Sequence, residues 1–160
     1  MPSKRLINWW VIYLVNILDL IYAVIKNFKI CVPASKHYLN LPEDYNTPSF
    51  LYDIVFNKAS RETKYVKDVS LDLQIVVFSN KDELGKEDYE DKLKIADQLR
   101  RFLDTFILQV GDRYLKFDYG FGEADEQLTI NMNFKFKDGV INLEESYELM
   151  QHLYMNREEV

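Results

Sequence analysis

The stretch Leu128-Thr-Ile-Asn-Met-Asn-Phe-Lys-Phe-Lys137 alternates without a break, setting Leu128, Ile130, Met132, Phe134 and Phe136 against Thr129, Asn131, Asn133, Lys135 and Lys137. Successive side chains of a strand point to opposite faces, so the run predicts a strand with one buried and one wet face. Asp138-Gly139 closes it. A second alternating run lies upstream, within Lys64–Ser79. There Val69, Leu71, Leu73, Ile75 and Val77 alternate with Ser70, Asp72 and Gln74. That strand is long against a usual ~5–6 residues. Its first third, with Lys64 and Lys67, is expected to project beyond the core as a hairpin arm. The partner strand is Phe50–Phe56, joined across a polar turn at Asn57–Thr63, and Pro48 stands at its start, where a missing N–H is tolerated.

Between the two runs, Tyr89, Leu93, Ala96, Leu99, Leu103 and Phe106 fall at helical spacing. Glu87, Asp88, Glu90 and Asp91 gather at the start and Arg100 and Arg101 come late, matching the helix macrodipole. Gly111-Asp112 reads as a turn, and Leu115, Phe117, Tyr119 and Phe121 alternate as a third strand, ended by Gly120, Gly122 and Asp125. Residues Val32–Thr47, with Pro33, Pro42 and Asn46, read as a connection. Asn142, with Glu145 three residues on, caps a last helix over 142–159. The expected fold is α+β: a two-layer sandwich of an antiparallel four-stranded sheet with helices mainly on one face, in the order α-β-β-α-β-β-α. A chain of 160 residues suits one domain, 1–160, with an apolar N-terminal helix in 1–31 and the core in 48–137.

The run Leu6–Ile25 is about as long as the ~20 residues that cross a bilayer. Asn8, Asn16 and Asp19 interrupt it, and at ~100° per residue Asn8, Asp19 and Lys26 superpose as one polar stripe. Lys4, Arg5, Lys26 and Lys29 flank both ends, giving no inside–outside bias. The run therefore reads as a packed helix covered by its own sheet or a neighbouring subunit. A membrane anchor is the competing reading, with Trp9 and Trp10 at the interface.

Hydrophobic residues make up 48% and charged residues 29%, which argues against disorder. A net charge of −6 disfavours a grip on nucleic acid phosphates. Cys31 is the sole cysteine, which excludes an intrachain disulfide. The acids from Asp82 to Asp91 lack the spacing of a calcium loop. His37 and His152 lack ligand-spaced partners and read as surface residues. No phosphate-binding glycine loop or nucleophile elbow is present. The chain reads as non-enzymatic, without cofactor or metal. Lys58, Arg61, Lys64 and Lys67 form the one positive cluster, either a contact for an acidic surface or a solvated hairpin tip.

Pro48-Ser-Phe-Leu-Tyr-Asp53 leading into Tyr65 and the strand Val69–Phe78, then Ile95-Ala-Asp-Gln-Leu99, the strand ending Phe117-Asp-Tyr119 and the strand Leu128–Phe136, form an order of their own. This order resembles the tail terminator (tail completion) proteins of long-tailed bacteriophages, above all those of phages and prophages of Gram-positive bacteria. The likeness covers most of 6–137, while the apolar start of the first helix and the loop at 32–47 depart from it. The resemblance implies a structural virion protein, assembled in the host cytoplasm, that forms a hexameric ring on the last tail-tube ring. Such a ring stops tube growth and offers a surface to the neck or connector proteins, and to sheath protein if the tail contracts. DNA passes through its lumen without specific binding. In such a ring Trp9, Trp10 and Tyr13 of the first helix, and Lys58, Arg61, Lys64 and Lys67 of the arm, would make subunit or tube contacts. A head–tail connector or stopper and a membrane-anchored interaction domain are the alternatives.

Overall fold

The central pair of strands is built from the two alternating runs. In the computed structural model, which describes residues 15–140, Val66–Phe78 (β3) and Gln127–Gly139 (β7) pair antiparallel along their whole lengths. Leu71, Leu73, Ile75, Ile130, Met132 and Phe134 are fully buried on one face of this pair. The opposite face carries the polar series, in rows such as Gln74–Asn131 and Asp72–Asn133. Ser49–Arg61 (β2) pairs antiparallel with β3, and Phe117–Ala124 (β6) with β7.

The four-stranded antiparallel sheet is corrected here. The main sheet has five strands in the order β1-β2-β3-β7-β6, and its first strand, Lys36–Tyr38 (β1), runs parallel to β2 at Ser49–Leu51. A separate two-stranded hairpin joins Leu108–Val110 (β4) to Arg113–Leu115 (β5). Three-residue strands leave too few alternations to register as a period. The turn at Gly111-Asp112 does sit between β4 and β5, with Gly111 at φ 58°, a conformation that favours glycine. Leu115 therefore belongs to this hairpin and not to the third strand.

The two helices among the described residues lie on the apolar face. Ile17–Cys31 (α1) starts at Asn16, whose side chain accepts the Leu18 N–H at 2.9 Å. It buries Leu20, Ile21, Val24, Ile25 and Phe28. Asn16, one of the residues that interrupt the apolar run, thus serves as a cap. Tyr89–Leu103 (α2) is capped by the Asp88 carboxylate, which accepts from the Glu90 and Asp91 N–H groups. It buries Lys92, Ile95, Leu99 and Leu103. The Cys31 thiol reaches the Gln98 carbonyl at 3.7 Å, where the two helices meet. Among the described residues, no helix is long and apolar enough to cross a membrane. Trp9, Trp10, Tyr13 and the helix expected over 142–159 lie outside the described residues.

Candidate functional site

The polar turn expected at Asn57–Thr63 is mostly strand. β2 continues to Arg61, the reversal falls at Glu62–Tyr65, and β7 runs alongside as a third strand, with Gly139 opposite Val66. The result is a three-stranded arm. Every β2 residue from Val55 to Arg61 is exposed, including the apolar Val55 and Phe56. The outer edge of β2 beyond Leu51 has no partner strand among the described residues. Such an edge presents unpaired N–H and C=O groups, which favour pairing with another chain.

The ladder register decides where the four basic residues go. A bulge between Ile54 and Phe56 makes Val55 the extra residue and sets Phe56 opposite Asp72, on the polar face. Lys58 lies opposite Ser70, on the same face as Lys135. Arg61 stands directly opposite Lys67, on the other face. Like charges facing each other across a ladder are destabilising. Beyond Lys67 comes Asp138, a buried carboxylate already engaged by Arg113 at 3.3 Å and by the Val15 N–H at 3.1 Å. Lys64 sits in the reversal with its ammonium over the Tyr65 ring, 5.7 Å from the centroid. The four therefore share one arm but not one patch. Lys135 and Lys137, on β7, join them. Across residues 55–69 and 135–140 there are six cations and three carboxylates, a local excess of positive charge in a chain of net charge −6.

At the other end of β2 both ring nitrogens of His37 are satisfied internally, which corrects the reading of His37 as a surface residue, while the buried Ser49 Oγ at the start of β2 has no hydrogen-bond partner among the described residues. His37 hydrogen-bonds the Tyr52 hydroxyl through Nδ1 at 2.8 Å and the Ser35 Oγ through Nε2 at 3.0 Å. Ser35 Oγ donates to the Val32 carbonyl at 2.6 Å. With that hydroxyl proton committed, Nε2–H donates to Ser35 and the Tyr52 hydroxyl donates to Nδ1, a neutral tautomer with every partner used. The ring stacks on Phe50, whose far side meets Phe28 edge-on at 5.6 Å. Burial, with the Lys29 charge adding to it, pulls His37 from 6.5 to about 4. Burial pushes the Tyr52 phenol well above its usual range. The serine hydroxyl is turned to a carbonyl and the imidazole is held as an acceptor, so this trio anchors β1 and has no group free for nucleophilic chemistry.

The acidic loop ahead of α2 binds its own backbone. Asp82 accepts from the Leu84 and Lys86 N–H groups at 2.9 and 2.8 Å, and Asp91 from the Asn80 N–H at 2.9 Å. Among the described residues, no three His, Cys, Asp or Glu side chains are placed to hold a metal ion. Comparison of the chain with protein-family models and with curated proteins finds no match.

Proposed function

We propose that the chain is a non-enzymatic assembly protein of a long-tailed phage. It forms a homo-oligomeric ring at the head-proximal end of the tail tube, ends tube growth and joins the tail to the neck. The name of the particle comes from the sequence resemblance. The arm supplies the physical support: a paired but solvated strand extension with Val55 and Phe56 exposed, an outer edge with no partner strand among the described residues, and Arg61 facing Lys67. An isolated monomer gains nothing from that arrangement. An acidic surface against the arm would relieve the opposed cations, and the remainder of a chain of net charge −6 is such a surface. A ring of identical subunits places the arm of one copy on the body of the next, a head-to-tail contact that closes by rotation.

Native mass measurement tests this on the pure full-length protein and on its mixture with tail-tube protein. The expected result is a closed oligomer, or a species bound to tube ends, weakened by F56S and by R61E while both variants keep wild-type circular dichroism. A strict monomer that never binds tube ends overturns the proposal.

A further inference from the structure

The helical spacing of α2 predicts Leu93 inward and Lys92 outward, and the structure has them reversed. Lys92 is 8% exposed, donates to the Glu126 carbonyl and lies 3.6 Å from the Glu123 carboxylate. Leu93 is 52% exposed and shares the outer side of the helix with Tyr89, one turn earlier and also exposed. Leu84, in the loop ahead of the helix, is 83% exposed. Apolar side chains exposed singly are ordinary, but a group of them rimmed by polar residues marks an interaction surface. The rim here is acidic: residues 82–91 carry six carboxylates against one lysine.

The arm is the counterpart in both respects. On its polar face Phe56 stands in the row Phe56–Asp72–Asn133, and the next row toward the tip is Lys58–Ser70–Lys135. Phe56 is exposed, and neither Lys58 nor Lys135 has an ion-pair partner among the described residues. The two surfaces belong to opposite ends of one strand. Tyr89 and Lys92 line a cleft with Phe78 and Ser79, so the first turns of α2 sit where β3 ends, while the arm's reversal sits where β3 begins. The thirteen residues of β3 at ~3.3 Å each put about 40 Å between the two. At a Debye length of ~8 Å, charges that far apart do not sense each other. Both surfaces are fixed to the same strand, so the arm cannot fold back onto its own helix, and the two can meet only between copies.

We propose that the corner made by the loop 82–87 and the first turns of α2 is the surface that receives the arm of the neighbouring copy, an assignment that rests on the ring reading above. Phe56 would seat among Leu84, Tyr89 and Leu93, with Lys58 and Lys135 against the acidic rim. An apolar centre with a charged border is the ordinary anatomy of such a contact. The two sides differ, so the contact is head-to-tail and leaves each copy one arm and one corner to continue the series.

Two full-length variants test the pairing, F56S/K58Q in the arm and L84S/L93S in the corner. Native mass is measured for each alone and for an equimolar mixture, alone or with tail-tube protein, whichever assembles the wild type. Each variant by itself is expected to lose every species above the monomer while keeping wild-type circular dichroism. The mixture is expected to form one-to-one heterodimers that grow no further, because the intact corner of one variant accepts the intact arm of the other. If L84S/L93S loses its circular dichroism, E83K/E87K takes its place. A corner variant that assembles like the wild type, or a mixture without heterodimers, overturns this pairing and leaves the ring standing. A wild type that stays monomeric alone and with tube protein overturns both.

Discussion

The two halves of β2 share a ladder with the same partner and differ in nearly everything else. From Ser49 to Tyr52 the strand is largely enclosed: Phe50 and Tyr52 lie under Phe28, and His37 closes the network above them. From Val55 to Arg61 it is exposed, its apolar side chains face water and its charges face each other. Backbone pairing is thus common to both halves and cannot be what distinguishes them. The first half is held by burial and by the Tyr52–His37 hydrogen bond, so it serves the fold. The second half contributes little to the fold and is available to something outside it.

That contrast can be broken most directly at its aromatic residues. F28A empties the space between Phe50, Tyr52 and the sheet and is expected to cost ~3–5 kcal/mol. F56A, at a residue 45% exposed, is expected to change stability by no more than ~0.5 kcal/mol. Chemical denaturation of both variants measures the difference, and equal losses would mean that the arm belongs to the folding core after all.

Acid provides a second and smaller lever, confined to the enclosed half. His37 is held near 4 in the folded chain against an ordinary 6.5, so the unfolded chain binds the proton more readily. Its contribution is complete above 6.5 and is lost as pH falls from 6.5 toward about 4. Urea midpoints across that range should decline in the wild type and decline less in H37F, which keeps a ring over Phe50 but has nothing to protonate. A parallel decline in the two proteins would place the pH dependence elsewhere.

The smallest effect should have the opposite sign. R61E turns a like-charge pair with Lys67 into an attractive one and should stabilise the free chain by ~0.2–1 kcal/mol. The same change should weaken assembly. A variant that is more stable alone yet poorer in the complex would separate the two halves of β2 most cleanly.

Legibility in the sequence followed the length of the pattern. β3 and β7 could be read because alternation persists over a dozen residues, and the arm followed because β3 outlasts any core it could cover. β1, β4 and β5 are three residues each and leave no period, so the sheet order and the parallel edge were not readable. One partner of His37, Ser35, is only two residues away, but the other, Tyr52, is fifteen residues away and meets it only once β1 pairs with β2. Its enclosure came from β1 joining the sheet, which the loop composition concealed. Lys92 was hidden for a different reason: periodicity assigns charged residues outward, so a buried lysine looks like noise until the structure shows what surrounds it.

The bulge at Val55 works as a phase shift in a two-letter code. Up to Ile54, even positions of β2 match the odd, buried positions of β3, and past the bulge odd positions do. Without it, continuing the ladder in step would send Phe56 inward opposite Leu71 and turn Asn57 outward. One inserted residue therefore lets a single strand read in one frame for its own core and in the other for display. Removing Val55 alone would leave each later cross-strand match as it stands, so chain length at this point can vary without scrambling the arm.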